Sequence, residues 1–282
     1  MRGVALSNSK YLNTLLLQYQ PENSLDNSIS KVDKILNKQS IKKNTLVVCP
    51  ELSFQKYICI KKNDTLFDLA ISIKSMDFDK IKYLAVRHKI YLCITFFEKS
   101  RNKYFNTAAI ISPNGEVILK YHKKNIPSEM FYEEKYYFQT PKNNFKYFYI
   151  TGFKIGVMIC WDQWHMNSYA FMKKNNINLI ICPTAIGHCF YKKRNFNLKN
   201  EQHKWFDVIK ANSLMVNTPM IVANRIGNET EVNQTIKFWG NSFITDCNGN
   251  IVKKCQSRQS VVDHKIDFRD QNTAKRSWNF LN

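Results

Sequence analysis

The chain has 282 residues, which is long enough to bury a substantial core as one large domain or two small ones. Its 44% hydrophobic and 13% aromatic residues exclude a wholly disordered protein. The net charge of +20 suggests nucleic-acid binding, but the lysines are spread along the whole chain among many asparagines. A compositional drift toward Lys and Asn explains this charge as well, so we do not expect nucleic acid to be the main partner.

Apolar runs of strand length recur along the chain and alternate with segments of helical spacing. The strand-like runs cover residues 12–19, 45–49, 90–97, 107–112, 116–122, 153–160, 178–182, 219–224, 241–246 and 259–266. The helical segments cover residues 24–38, 65–88, 164–176 and 200–217. This alternation is typical of α/β proteins. Because no internal repeat or flexible linker interrupts it, we expect a single domain over 1–282, with 1–10 as an N-terminal extension.

Two Asn-Gly pairs predict β-hairpins. One lies in SPNGEV, residues 112–117, and the other in DCNGNI, residues 246–251. Asn-Gly between strand-like runs is the strongest short-range hairpin signal, because both residues tolerate positive φ angles. Hairpins together with helical crossovers imply a mixed sheet, or two sheets stacked face to face.

The sequence favours a cytoplasmic protein without a metal or other cofactor. No stretch approaches the roughly 18 to 20 consecutive apolar residues that a membrane helix needs. Residues 1–20 lack a long apolar core and a clear cleavage site for secretion. The eight cysteines form no C-x-x-C pair, and several end apolar runs. That pattern indicates reduced, buried thiols and not a zinc site or a disulfide framework.

One cysteine is a candidate nucleophile. Cys160 ends the apolar run 153–160 and is followed at once by Trp-Asp-Gln-Trp. A thiol at the end of a strand becomes a nucleophile only beside a base or a cation. Glu51, Lys123 and Glu134, at the ends of other runs, could supply these groups. Each residue also has a purely structural interpretation, as a packed core thiol, a loop carboxylate or one more exposed lysine.

Six motifs stand out along the chain. They are VVCPELSFQKYIC, KYHKKNIPSEMFYEEKYYF, GVMICWDQW, ICPTAIG, VANRIG and KFWGNSFITDCNGNIV. In order and approximate spacing they resemble the nitrilase superfamily of carbon-nitrogen hydrolases, most closely its N-carbamoylputrescine amidase branch, over residues 12–278. The resemblance implies a four-layer α-β-β-α sandwich of two stacked mixed sheets. It also implies a homo-oligomer, a dimer or larger, that associates through its outer helices.

The same resemblance implies a Glu-Lys-Cys triad with a second glutamate. The family's base falls on Glu51, its lysine on Lys123, its nucleophile on Cys160 and its second glutamate on Glu134. In these roles, Glu51 takes the thiol proton and returns it to the departing ammonia. Lys123, joined by the backbone N–H of Trp161, stabilises the oxyanion. Cys160 carries the acyl group until water, activated by Glu51 with help from Glu134, releases it.

The reaction that we expect is the hydrolysis of N-carbamoylputrescine to putrescine, ammonia and carbon dioxide, a step in polyamine biosynthesis. The residues expected to bind the substrate are Tyr57, Glu133, Trp161, Asp162 and Thr184. A cationic substrate approaching a protein of net charge +20 needs acids at the pocket. Glu133 is therefore predicted to hold the distal ammonium, and Glu98 is a further acid near the ends of the motifs.

Two other functions stay open. A β-ureidopropionate, or another ω-amide or ureido acid, would need an arginine in the pocket, which Arg194 or Arg225 could supply. Alternatively, the chain is a binding protein that keeps the fold and has lost catalysis, although the intact triad argues against this.

The chain departs from the branch pattern beside the nucleophile and the lysine. His165, Met166 and Asn167 replace the usual Phe-Pro-Glu, and we expect His165 to be a structural histidine. Asn125 replaces a histidine after the lysine. The usual Arg-rich tail is missing after Trp278, which leaves the size of the oligomer open. These departures bear on the substrate and the assembly more than on the type of reaction.

Overall fold

The computed structural model describes residues 10–142, 144–195, 200–271 and 273. Its helices are α1 (Leu25–Asn37), α2 (Met76–His88), α3 (Glu134–Tyr137), α4 (Met166–Lys174) and α5 (Glu201–Met215). Its strands are β1 (Tyr11–Gln18), β2 (Leu46–Val48), β3 (Tyr91–Ser100), β4 (Lys103–Ile111), β5 (Val117–His122), β6 (Lys146–Ile150), β7 (Phe153–Val157), β8 (Leu179–Thr184), β9 (Gly187–Tyr191), β10 (Arg194–Asn195), β11 (Met220–Asn224), β12 (Ile226–Glu231), β13 (Gln234–Trp239), β14 (Phe243–Thr245), β15 (Ile251–Lys254) and β16 (Ser260–Asp267). Most of the predicted N-terminal extension, residues 1–9, and the chain end after Trp278 lie outside the described residues.

Two six-stranded mixed sheets form the centre of the fold. The strand order is β16-β1-β2-β3-β4-β5 in the first sheet and β15-β14-β11-β8-β7-β6 in the second. Both sheets share one pattern. In the first, β1, β2 and β3 are parallel, with antiparallel neighbours on either side. In the second, β7, β8 and β11 are parallel and are flanked in the same way. The predicted mixed sheets are confirmed.

The two sheets stack face to face, with helices outside. Along β1, Leu12 and Leu16 belong to a core cluster shared with the second sheet, whereas Leu15 and Leu17 belong to a cluster shared with α1 and α2. This period of two is what a strand buried on both faces requires. On the other side, α4 and α5 pack their buried residues against the second sheet. The predicted four-layer sandwich is therefore confirmed.

Both predicted Asn-Gly hairpins form. β4 pairs with β5 across Gly115, and β14 pairs with β15 across Gly249. The two glycines have φ angles of +81° and +79°, a region that residues with side chains rarely adopt. A Cβ atom at Gly249 would also lie 2.4 Å from the carbonyl oxygen of Lys210, so close packing on α5 adds a second reason for glycine.

The predicted helix over 65–88 is interrupted in the structure: Asp64–Leu69 forms a 3₁₀ helix, and α2 begins only at Met76. Ser75 is its N-cap. Upstream, Ile71 pairs with β3 and makes two backbone hydrogen bonds to it, at 3.0 and 2.9 Å. Pairing with the sheet thus overrides the helical spacing of this segment.

The sequence patterns do not predict a third sheet, whose strand order is β10-β9-β13-β12. Only one of its faces is buried: in β13, Ile236 and Phe238 are buried and Lys237 between them is exposed. Its central pairing joins β9 to β13, which are distant in sequence. Gly187 and Trp239 of this sheet line the cavity that contains Cys160.

The eight cysteines, all of them among the residues that the structure describes, are buried and form no disulfides, as predicted. Within the described ranges, no helix is both long and apolar enough to cross a membrane.

Candidate active site

Cys160 lies in a sharp turn between the second sheet and α4. β7 ends at Val157, and a single 3₁₀ turn, Cys160–Trp164, follows. Cys160 has a φ angle of +42°, a left-handed conformation that costs a residue with a side chain about 1–2 kcal/mol. Asp162 holds the turn, because its Oδ2 accepts the N–H of Ile159 at 2.9 Å. The strained turn places a thiol that is 5% exposed in the wall of a cavity.

Lys123 is buried between two carboxylates. Its Nζ donates to Oε1 of Glu51 at 2.9 Å and to the two carboxylate oxygens of Glu134 at 2.8 and 2.6 Å. All three residues are buried. An ammonium has three protons to donate, and these three acceptors match that number. Charges this deeply buried are tolerated only when they are paired and hydrogen-bonded in this way.

Glu51 follows β2 and keeps one carboxylate oxygen available. Its Oε1 accepts from Lys123 and from Nδ2 of Asn106, the latter at 2.8 Å. Its Oε2 is buried and has no hydrogen-bond partner in the described part of the chain. Glu51 therefore retains an acceptor for a proton.

Burial and neighbouring charges together set the protonation states of Cys160, Glu134 and Lys123. Burial raises the pKa of Cys160 well above its ordinary value, Glu51 raises it further and Lys123 lowers it. Burial raises the pKa of Glu134 to about 7, against the opposing charge of Lys123. Burial lowers the pKa of Lys123, but the charges of Glu134 and Glu51 outweigh this and hold that pKa well above its ordinary value. At neutral pH, Lys123 is an ammonium and Cys160 is a thiol that needs a base.

Tyr57 and Thr184 each contact one of the two glutamates that bind Lys123. The Tyr57 hydroxyl donates to Oε1 of Glu134 at 2.8 Å. The Thr184 carbonyl accepts the N–H of Glu51 at 3.3 Å. Both residues are buried, and neither is among those that line the cavity. Tyr57 thus orients the Glu134 carboxylate and Thr184 binds the backbone of Glu51, and direct contact of either residue with a substrate stays a prediction.

Asp162 ties the nucleophile turn to the loop that carries Lys123. Its Oδ2 accepts the hydroxyl of Tyr121 at 2.7 Å. Its Oδ1 accepts the backbone N–H and the side-chain amide of Asn125, at 2.9 and 3.0 Å. Tyr121 and Asn125 stand on either side of Lys123 in the sequence, so one carboxylate fixes the lysine loop against the cysteine turn. Asp162 is fully buried and does not line the cavity.

A cavity of about 470 Å³ contains Cys160 and Glu134 in its wall. Of the residues predicted to bind the substrate, Trp161 lines it. Three charged residues that the sequence patterns did not single out also line it: Glu129, Glu201 and Lys204. The last two lie one turn apart on α5, a spacing that places them on the same face of the helix.

The structure does not bring Glu133 to this cavity. Its carboxylate lies 3.7 Å from Nζ of Lys62 and is 26% exposed. The two candidate arginines for an acidic substrate are also elsewhere, since Arg194 is exposed on β10 and Arg225 is fully buried and paired with Glu229. These positions support neither the role predicted for Glu133 nor an arginine in the pocket.

The residues that replace the branch pattern after the nucleophile lie outside the cavity lining. The His165 ring lies edge-on to Trp161, with centroids 6.2 Å apart. Its Nε2 is buried and has no hydrogen-bond partner among the described residues. Met166 is 81% exposed, and Asn167 is also exposed. His165 therefore packs against a residue of the cavity wall without lining the cavity itself, and its structural role stays a prediction.

Glu98 belongs to a buried ion cluster on the first sheet, away from the residues that line the cavity. Its carboxylate pairs with Thr107 Oγ1, Lys120 Nζ and His122 Nε2, at 2.8, 2.7 and 2.9 Å. Burial acts to raise the pKa of Glu98, but these hydrogen bonds outweigh it and lower the pKa from 4.5 to about 2. A carboxyl pKa that is lower in the folded state stabilises the fold above the unfolded value of 4.5, and this stabilisation is lost as the pH falls toward 2.

We expect Glu98→Gln to lower the free energy of unfolding at pH 7 by about 3 kcal/mol, the equivalent of the pKa shift. The variant should also lose less stability than the wild type between pH 4.5 and pH 2. Urea unfolding across this range measures both effects. Parallel pH profiles for the two proteins would contradict this account of Glu98.

The four-layer sandwich with its Glu-Lys-Cys cluster agrees with what the sequence motifs implied. A sequence profile described as carbon-nitrogen hydrolase matches residues 16–276, so the chain belongs to this family.

Two curated relatives and one solved structure are similar over most of their length. The citrullinase of Francisella tularensis subsp. tularensis is 30% identical over 258 residues, which cover 90% of this chain and 89% of that protein. The N-carbamoylputrescine amidase of Oryza sativa subsp. japonica is 29% identical over 257 residues, which cover 89% of this chain and 84% of that protein. The carbon-nitrogen hydrolase from Helicobacter pylori G27 matches with a TM-score of 0.88 and 26% identity, over 96% of this chain and 94% of that one.

Proposed function

We propose that the protein hydrolyses the ureido group of N-carbamoylputrescine through a thioester on Cys160. The observation that carries this proposal is the position of Lys123 between Glu51 and Glu134, in a cluster whose charges act on Cys160. The cluster holds a nucleophile, a base with an available oxygen and a fixed positive charge.

In the first half-reaction, Glu51 accepts the thiol proton and Sγ of Cys160 bonds to the ureido carbon. The carbonyl oxygen becomes an oxyanion, stabilised by Lys123 and by the backbone N–H of Trp161. When this intermediate collapses, the bond to the terminal nitrogen breaks, and Glu51 returns its proton so that ammonia leaves. Cys160 then carries a carbamoyl thioester with the 4-aminobutyl group attached to its nitrogen.

In the second half-reaction, Glu51 takes a proton from water as the water oxygen bonds to the thioester carbon. The C–S bond breaks, and Cys160 regains its proton from Glu51. The released carbamic acid loses carbon dioxide and leaves putrescine. Glu134 contributes by holding Lys123 in place through both of its carboxylate oxygens.

Two acidic residues that line the cavity favour a substrate whose distal end, away from the ureido group, is cationic. Glu129 and Glu201 both line the cavity, in a protein whose net charge is +20. Their charges lower the local potential where the aminobutyl group would extend from Cys160. In this proposal they take the role that the sequence assigned to Glu133. The rice relative's name, N-carbamoylputrescine amidase, agrees with this substrate.

Lys204 favours a second candidate substrate, citrulline. It lines the same cavity one helical turn after Glu201. Citrulline is N-carbamoylputrescine with one additional α-carboxylate, so a lysine beside a glutamate offers a counter-charge for each group of its amino-acid end. The name of the Francisella relative, citrullinase, agrees with this alternative.

The two substrates can be distinguished by ammonia release from N-carbamoylputrescine, citrulline and N-carbamoyl-β-alanine. We expect Lys204→Met to raise kcat/KM for N-carbamoylputrescine and to lower it for citrulline, each by about fivefold, the equivalent of an ion pair of about 1 kcal/mol. Lys210→Met, on the same helix but outside the cavity lining, is the matched control. An unchanged ratio of the two kcat/KM values would mean that Lys204 does not contact the distal end. Absence of ammonia from all three compounds would contradict the proposed reaction itself.

We also propose that the protein works in the cytoplasm as a homodimer or larger homo-oligomer and supplies putrescine for polyamine synthesis. Apolar side chains exposed on the outer helices support self-association: Met166, Leu214 and Met215 are 81%, 40% and 46% exposed. Size-exclusion chromatography with light scattering measures the assembly. A monomer at the highest soluble concentration would contradict it.

A further inference from the structure

Arg225 is a fully buried cation whose guanidinium contacts the segment that carries Glu51. It directly follows β11 and is 0% exposed. Its Nη1 donates to the carbonyl oxygens of Glu51 and Leu52, at 3.2 and 3.4 Å. Its Nη2 donates to the carbonyl oxygen of Gln55 at 3.2 Å. One guanidinium therefore binds three carbonyl groups of a single turn, and the first of them belongs to the proposed base.

The turn that Arg225 binds is strained. Leu52 has a φ angle of +47°, in the left-handed region that costs a residue with a side chain about 1–2 kcal/mol. A strained residue persists only where its surroundings fix it. Here the Leu52 N–H donates to Oγ1 of Thr95 at 2.5 Å and its carbonyl accepts from Arg225. Without the guanidinium, we expect this turn to relax and to move Glu51 with it.

Glu229 links Arg225, through Tyr57, to the carboxylate of Glu134. Its Oε1 pairs with Nη2 of Arg225, and its Oε2 accepts the backbone N–H of Tyr57 at 2.6 Å. The Tyr57 hydroxyl in turn donates to Oε1 of Glu134. A continuous set of hydrogen bonds thus leads from Arg225 through Glu229 and Tyr57 to Glu134.

The surroundings of Arg225 stabilise a buried guanidinium whose two terminal nitrogens bind the turn of residues 51–55. A guanidinium stays charged when buried, and here Glu229 supplies the counter-charge. The Arg225 guanidinium carbon lies 5.0 Å from the ring centroid of Phe238 and 6.0 Å from that of Tyr57, so both rings stabilise the cation. Its Nε is buried and has no hydrogen-bond partner among the described residues. The hydrogen bonds of Nη1 and Nη2 to the three carbonyls offset the free energy lost by this unpaired group.

We propose that Arg225 and Glu229 are positioning residues that hold Glu51 and Glu134 at the geometry needed for attack by Cys160. Arg225 and Glu229 hydrogen-bond to each other and to backbone atoms of residues 51–57, so they act through the residues that they bind and not on the substrate. This role rests on the proposed hydrolysis, and it predicts a loss in kcat at nearly constant KM.

The test compares Arg225→Lys, Arg225→Met and Glu229→Gln with the wild type. Lysine keeps the charge, but its single ammonium group lacks the planar, branched donors that let arginine bind three carbonyls and a carboxylate at once. A misplacement of about 1 Å in a catalytic group costs on the order of 10²-fold in rate, so we expect Arg225→Lys to lose about that much kcat. Arg225→Met should lose more. Glu229→Gln keeps an acceptor for the Tyr57 N–H and should lose less.

Asp33→Asn is the matched control for removing a partly buried carboxylate. Asp33 is 21% exposed and pairs with His88 at 2.7 Å and with Arg87 at 3.3 Å, between α1 and α2. We expect it to lower the thermal midpoint without changing kcat per folded molecule. If Arg225→Lys and Glu229→Gln also keep wild-type kcat after correction for the folded fraction, or raise KM with kcat unchanged, the positioning role is wrong.

A second measurement separates failure of this role from failure of the proposed reaction. The rate at which iodoacetamide alkylates Cys160 is followed by peptide mass mapping, which needs no known substrate. We expect the alkylation rate of Cys160 to change in Arg225→Lys, because the displaced Glu51 both accepts the thiol proton and raises the thiol pKa. Cys189, which lines the same cavity, is the internal standard. Equal alkylation of Cys160 in variant and wild type would overturn the positioning role whatever the substrate.

Discussion

Replacing Cys160 with alanine is expected to abolish ammonia release, by at least about 10⁴-fold, because no other group in the cluster can form the thioester. The side chain is small and the substitution removes a single buried atom, so the free energy of unfolding should change by about 1 kcal/mol or less. Steady-state ammonia release and urea unfolding, measured on the same preparation, separate the two effects.

Cys255→Ala is the matched control for this experiment. Cys255 is also 5% exposed, and its thiol pKa is also raised by burial, but it lies beside β15 and outside the cavity lining. It should keep wild-type turnover. Residual ammonia release by a folded Cys160→Ala protein, at more than a small fraction of the wild-type rate, would show that another group carries the reaction.

Replacing Lys123 with methionine should impair both activity and stability. Removal of a positive group that stabilises an oxyanion typically costs about 10²–10³-fold in kcat. Glu51 and Glu134 would then be left buried side by side without their cation, and breaking a buried ion pair costs about 3–5 kcal/mol of folding free energy. Ammonia release and urea unfolding at pH 7 measure the two losses.

Two further variants show whether the cost comes from the unpaired carboxylates. Lys120→Met removes a neighbouring lysine that also pairs with a buried carboxylate, Glu98, but whose own side chain is 33% exposed. We expect it to cost about 1 kcal/mol and to leave kcat unchanged. Adding Glu134→Gln to Lys123→Met should restore part of the stability and none of the activity. If the double variant is less stable than Lys123→Met alone, carboxylate repulsion is not the cause.

The central fold could be predicted from local signals. Apolar runs marked most strands of the two large sheets, and the glycines of the two Asn-Gly pairs have the positive φ angles that such turns require. The predictions failed where distant segments decide the structure. Ile71 pairs with β3, so the predicted helix is interrupted between Leu69 and Met76. The third sheet depends on the pairing of β9 with β13, which no short pattern reveals.

The catalytic candidates could be placed from the motifs, but their surroundings could not. Glu133 and Glu134 are neighbours in sequence, yet the first is the N-cap of α3 and pairs with Lys62, and the second points inward to Lys123. Which of two adjacent glutamates faces the cavity depends on the backbone of a single turn. The sequence leaves Arg225 open as a binder of acidic substrates. In the structure it binds backbone carbonyls of residues 51–55 instead, and these are so distant in sequence that no local pattern could predict the contact.

The most direct test of the account is acid quenching of the wild-type enzyme during turnover of N-carbamoylputrescine, followed by peptide mass mapping. We expect an adduct with the mass of the substrate less ammonia, on the peptide that contains Cys160, formed as fast as the first molecule of ammonia. If N-carbamoylputrescine gives no adduct but a parallel quench with citrulline gives one at the same thiol, the chemistry stands and the substrate changes. Steady ammonia release without any adduct at Cys160, or with an adduct on a different residue, would contradict a thioester mechanism at Cys160.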